Sequence, residues 1–160
     1  MPQSLAISPG TVGFRIKKIG LVNFDRLYKE ARTFFDSYHY IFNETQHKGK
    51  DAEKGRKLDI IWSAFREVDD YARFVIKVNF VLFRINEIKG LFSCEMYVYI
   101  EGKVELDYKN RWETSAFRSF LFKTYNRIIR RDIEREYQGT LYGEVSELKG
   151  LIKSLLDEYD

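Results

Sequence analysis

From Phe74 to Leu82 every second residue is large and apolar (Phe74, Ile76, Val78, Phe80, Leu82), and Arg73, Lys77 and Asn79 fall between or beside them. A period of two belongs to a strand whose two faces meet different surroundings. The same parity runs through Leu58, Ile60, Trp62 and Ala64, then Phe92, Cys94, Met96, Val98 and Ile100, then Val104, Leu106, Tyr108 and Trp112. The links Val68-Asp69-Asp70, Glu87 to Gly90 and Glu101-Gly102-Lys103 are short and turn-like, which predicts hairpins and a four-stranded antiparallel meander. One face of that sheet is a core face and the other is largely wet.

Upstream, residues 1–10 read as a tail ending at Ser8-Pro9-Gly10, and Val12, Phe14 and Ile16 alternate with Gly13, Arg15 and Lys17. That segment is either a fifth strand or a flexible basic arm. From Asn23, a helix N-cap type, the period changes: Phe24, Leu27, Tyr28, Ala31, Phe34, Phe35, Tyr38 and Phe42 recur at three- and four-residue steps, predicting an amphipathic helix over 23–42. Residues 43–57 are polar and basic, with Lys48, Lys50, Lys54, Arg56 and Lys57, and read as a surface loop.

After the meander, a helix over 114–137 places Lys123, Arg127, Arg130 and Arg131 within about 100° of arc. A last helix over 140–158 repeats Leu141, Val145, Leu148, Ile152, Leu155 and Tyr159 in a heptad-like seam. Gly143 and Gly150 share one of its faces, which points to close approach of another backbone, from this chain or from a partner's copy. The whole predicts a single α+β domain over 1–160. Its four- to five-stranded antiparallel meander carries one helix before and two after, all on one face.

Composition narrows the chemistry. The net charge of +3 is distributed in bands, with residues 1–57 and 109–131 basic and 58–108 and 132–160 acidic. Cys94, the single cysteine, falls at an inward strand position and reads as a small hydrophobe. No stretch has the length and apolarity of a membrane span or a secretory leader, so a cytoplasmic protein is expected. His39 and His47 are the only histidines and do not make a zinc site with one distant cysteine. No nucleotide-binding, hydrolase or metalloprotease motif occurs. Asp69-Asp70 belongs to a turn, and Glu95, Glu101, Glu105 and Asp107 face cations on neighbouring strands. The residues therefore imply no catalytic group, no metal and no cofactor.

The outward positions are not all polar: Ile61, Phe65, Val75, Val81, Phe83, Tyr97 and Tyr99 mix there with Arg73, Lys77 and Arg111. Aromatic residues beside cations suit a protein interface, and also the stacking of single-stranded bases. Three segments carry a resemblance: Phe24-Asp25-x-Leu27-Tyr28, then Trp62 through Arg66, Val68, Asp69, Tyr71, Arg73 and Phe74, then Gly102 to Tyr108. Together they resemble a group of small uncharacterised archaeal proteins over residues 22 to about 137. The resemblance implies a shared α+β layout and an archaeal-type origin, and no activity.

The leading functional expectation is a non-enzymatic interaction or assembly module that meets a protein partner or its own copy. Its surface would be Phe65, Phe83, Tyr97 and Tyr99 with Leu148, Ile152 and Leu155. A rival is a nucleic-acid-binding protein that uses Lys123, Arg127, Arg130 and Arg131 together with Lys48, Lys50, Lys54, Arg56 and Lys57. A third is a small-ligand-binding protein or enzyme with a pocket between sheet and helices.

Overall fold

The computed structural model describes residues 3–6, 12–52, 55–69, 72–106 and 116–159, with side chains over 13–45, 57–69, 72–105 and 135–158. Its element order is β1 (Gln3–Ala6), β2 (Val12–Val22), α1 (Phe24–Ser37), β3 (Ile41–Ala52), β4 (Gly55–Glu67), β5 (Ala72–Ile88), β6 (Leu91–Leu106) and α2 (Ala116–Leu156), then a 3-10 turn, Asp157–Tyr159. All strand pairs are antiparallel. The sheet runs β1-β6-β5-β4-β3, and β2 pairs with β6 further along the edge that β1 occupies. The chain is thus α+β, with an antiparallel sheet, one helix before the four-strand meander β3 to β6 and one after it.

The alternation read from the sequence places the inner face. Ile60, Trp62 and Ala64 of β4, Phe74, Ile76, Val78, Phe80 and Leu82 of β5, and Cys94, Met96, Val98, Ile100 and Val104 of β6 are all buried. Burying each large side chain is worth about 1.5–3 kcal/mol, so this layer is the main source of stability. Trp62 is its centre, with ring contacts to Phe24, Tyr28, Phe42 and Phe80.

Residues 3–6 of the expected tail are strand β1, held by its ladder to β6, and Val12–Val22 is a strand and not an arm. Three further departures from the expected elements have physical causes. The first concerns Glu101-Gly102-Lys103, which does not turn: β6 continues through it, and Gly102 pairs with Val12 on one side and Ile76 on the other. The parity of Ile100 and Val104 is unbroken across Gly102, as a continuous strand requires. The second concerns residues 43–57. The backbone over Ile41–Ala52 is strand β3, hydrogen-bonded to β4. An edge strand with few apolar side chains is held by its ladder, so no alternation announces it.

The third concerns the helices. The first stops at Ser37, short of Phe42, because Tyr40 N–H donates to Phe35 O (2.8 Å) and His39 N–H to Asp36 O (3.1 Å), with His39 at φ 63°. This is a Schellman turn with histidine in the left-handed position that glycine usually fills. It reverses the chain so that Tyr40 and Phe42 enter the inner face as strand residues. At the other end Asn23 Oδ1 accepts from Arg26 N–H (3.1 Å), the expected N-cap.

The two late helices are one, Ala116–Leu156, about 60 Å long. Gly139 lies inside it, exposed, at a propensity cost of about 1 kcal/mol. Buried Leu141, Val145, Leu148, Ile152 and Leu156 form its sheet-facing stripe. Gly143 and Gly150 do not mark a close approach, since a Cβ built at either meets nothing within 4 Å. Arg26 at the start of α1 pairs with Glu158 just past α2, and Tyr38 at the end of α1 donates to Glu147, so the two helices lie antiparallel.

Hairpin geometry is specific at Lys89-Gly90, where both φ values are positive (51° and 80°) as a type I′ turn demands. A bulge at Arg84, φ 54°, shifts the register so that Ile85 turns inward and is buried. No helix among the described residues is long and apolar enough to cross a membrane.

Candidate interaction surface

Two places on the molecule gather polar and aromatic groups. The first is buried, where α2 crosses the end of β4. Arg66 donates from Nη2 to Glu144 Oε2 (2.8 Å) and from Nη1 to Tyr38 O (3.0 Å), while Tyr40 donates to Glu144 Oε1 (3.1 Å). The Arg66 guanidinium lies over the rings of Tyr40 (5.1 Å) and Phe74 (5.3 Å). Burial pushes the Glu144 carboxyl above its ordinary value, against the opposing pull of Arg66 and the Tyr40 hydrogen bond. Burial and the Glu144 charge likewise raise the Tyr40 hydroxyl. Every charge here is answered by a partner inside the cluster, which fastens helix to sheet.

The second is the outer face of the sheet, which carries no helix among the described residues. Register arranges it in cross-strand rows. Arg15, Tyr99, Asn79 and Ile61 form one; Lys17, Tyr97, Val81 and Asp59 the next; Gly13, Glu101, Lys77 and Ser63 lie on the other side of the first. Arg15 stands over the rings of Tyr97 (5.3 Å) and Tyr99 (5.8 Å), Lys17 over Tyr97 (5.5 Å), Lys57 over Phe83 (5.2 Å) and Arg73 over Phe65 (5.6 Å). Phe83 and Tyr97 meet edge to face at 6.0 Å. Carboxylates answer three of the cations: Arg73 Nε donates to Glu105 (2.8 Å), Lys103 lies 3.4 Å from the same carboxylate, and Lys17 is 3.9 Å from Glu95.

The residues singled out from sequence divide accordingly. Phe65, Phe83 and Tyr97 are half-buried on this outer face and Tyr99 is 41% exposed. Leu148 and Ile152 are fully buried in the chain's own core and Leu155 is half-buried against it, so the seam is filled from within. Lys57 is exposed at the margin of the outer face. Lys48, Lys50 and Arg56 lie on the β3-β4 hairpin, but their side chains, and the whole of Lys54, fall outside the described residues. The side chains of Lys123, Arg127, Arg130 and Arg131 on α2 do so too, as do Asp70, Asp107, Tyr108, Arg111 and Trp112.

Sequence reasoning missed Arg66 and Glu144 as a pair. The signal was present: Glu144 interrupts the apolar stripe between Leu141 and Leu148, and Arg66 follows Ala64 at an inward position. Lys18 was missed likewise; it is an inward position of β2 and only 6% exposed. Cys94 is buried, which pushes its thiol up to about 11 and keeps it un-ionised at neutral pH. Among the described residues no group of three or more His, Cys, Asp or Glu is placed to hold a metal. No protein-family model matches the chain, and no curated protein sequence matches it.

Proposed function

We propose that the chain is a non-enzymatic interaction module, and that a protein partner engages the outer face of its sheet. One observation carries the reading: the face that the helices leave uncovered bears aromatic rings capped by cations, Tyr97 and Tyr99 under Arg15 and Lys17, Phe83 under Lys57, and Phe65 under Arg73. Tyr, Phe and Arg are the residues that interfaces concentrate. The interleaved carboxylates Glu95, Glu101 and Glu105 favour a protein over a polyphosphate, which would have to approach three negative charges.

Placing a photo-activatable amino acid at position 99 tests this directly, with position 142, exposed on α2, as the control. A discrete protein adduct at 99 that is missing at 142 and is lost with Arg15→Glu is the expected result. An adduct at 99 that nuclease digests would overturn it.

Binding of nucleic acid through α2 is a second reading, favoured by the continuity of that helix. Positions 123, 127 and 130 stand about five turns before 141, 145 and 148, so one line along the helix changes from basic to apolar. Retention of nucleic acid at low salt, and its loss as salt rises or when Arg127 and Arg130 are reversed in charge, is the outcome that would select this reading.

A further inference from the structure

A pit of about 350 Å³ opens on the outer face across β2, β6 and β5, lined by Gly13, Arg15, Lys77, Asn79, Tyr99 and Glu101 together with Phe14 and Ile100. We infer that it binds a free α-amino acid. The inference stands apart from the partner reading, since a small ligand here needs no second protein.

Three observations converge. The pit exists partly because residue 13 has no side chain. Its backbone is not left-handed, and a Cβ built there meets nothing nearer than Ile100 O at 3.5 Å, so neither conformation nor space calls for glycine. Secondly, the charges at this point have no ionic partners among the described residues. Lys77 and Glu101 are directly opposed on β5 and β6 yet form no ion pair with each other, and Arg15 stands over the rings of Tyr97 and Tyr99. Further along the same face Arg73 and Lys103 pair with Glu105, and Lys17 with Glu95. Thirdly, Asn79 Oδ1 is out of water and has no hydrogen-bond donor among the described residues. A buried acceptor left unsatisfied costs about 1–3 kcal/mol, so such a group calls for an explanation.

The signs of the charges select the ligand. A simple anion would meet Arg15 and Lys77 but also Glu101, and a simple cation would meet Glu101 but also two positive charges. A molecule with a carboxylate and an ammonium one carbon apart satisfies both: the carboxylate goes to Arg15 and Lys77, the ammonium to Glu101, and the Asn79 carboxamide turns on binding to bring its buried Oδ1 to the ammonium. The exposed Tyr99 ring then offers its face to the ligand side chain. With two cations against one carboxylate, neutral and acidic amino acids are favoured over basic ones. The volume lies within the range of small-molecule sites.

The test is a titration of the full chain with free L-amino acids, followed by amide NMR shifts. N-acetylated amino acids, amino acid amides, inorganic phosphate and a peptide with a free C-terminus serve as comparisons. Shifts at residues 13–15, 77–79 and 99–101 with free amino acids are expected, with affinity about tenfold lower or worse for either blocked form. Gly13→Leu should abolish binding by filling the pit, and Glu101→Gln should weaken the free amino acid towards the level of the acetylated one. Lys77→Ala, at an exposed position, gives a second loss of binding should Gly13→Leu disturb the edge strand. Absence of shifts with every amino acid, equal binding of blocked forms, phosphate or the peptide, or binding that survives Lys77→Ala and Glu101→Gln would overturn the inference.

Discussion

The two faces of this sheet are built from the same strands, one residue out of phase, and they obey different rules. On the inner face Trp62, Phe74, Phe80 and Met96 are at or near zero exposure under α1 and α2. On the outer face Tyr97, Phe83 and Phe65 keep part of their rings in solvent, with a cation above each. An inner aromatic is held by apolar surface removed from water; an outer one is held by its neighbours' charges and stays open to further contact. The inner face therefore accounts for folding, and the outer face is where selection on binding can act without unfolding the protein.

The largest test of that contrast is a matched pair of truncations. Trp62→Ala should cost about 3–5 kcal/mol, and Tyr97→Ala about 1 kcal/mol or less, read as shifts in the midpoint of denaturant unfolding. Equal losses would break the contrast. The next test uses ion pairs. Arg66→Ala, which strands Glu144 at a buried site, should cost about 3 kcal/mol, whereas Arg73→Ala beside Glu105 should cost about 1 kcal/mol. Replacing the inner cluster together, Arg66→Met with Glu144→Leu and Tyr40→Phe so that no buried hydroxyl is stranded, should return stability to within about 1 kcal/mol of the parent, because an apolar set fits that face.

A smaller effect lies where the chain passes from the helix layer into the sheet. His39→Gly should stabilise by about 1 kcal/mol, seen as a higher unfolding midpoint, since φ 63° costs a side-chain-bearing residue what glycine does not pay. The smallest concerns protons. The raised Glu144 carboxyl keeps its proton to higher pH in the folded state than in the unfolded chain, so folding loses stability as pH rises from the ordinary value of 4.5 through the raised one. Unfolding midpoints across that window should fall less steeply for Glu144→Gln than for the parent.

How legible the molecule was follows from the same contrast. Alternation marks a strand only when its faces differ, so β4, β5 and β6 could be read residue by residue, and β2 more faintly. Beyond Phe42, β3 is polar at nearly every position and paired to β4 through its backbone, and a basic hairpin then resembles a loop. Glycine was the second source of error. Gly102 in β6 and Gly139 in α2 look like breaks, but neighbouring ladders hold the first, and the packed stripe beginning at Leu141 holds the second. His39 was the converse, a terminator without the usual residue type. As for the surface, the aromatics of the outer face could be placed by parity, whereas the pit at Gly13 depends on which residues stand opposite across three strands, and only register supplies that.

The pairing of β2 with β6 has a bearing on synthesis. Val12 hydrogen-bonds opposite Gly102 and Val22 opposite Phe92, so a strand made early waits for the last strand before it has a neighbour. A nascent chain emerging from the ribosome can close the local hairpins β3-β4 and β4-β5 as they appear, with α1 as their nearest cover. Until residues 92 to 102 have been added, β2 has no complete ladder, and its polar backbone and the apolar Phe14, Ile16 and Val22 remain open to whatever else the cell brings near. The buried Lys18 stands among them, a charge that disfavours pairing with a stranger's strand during the wait.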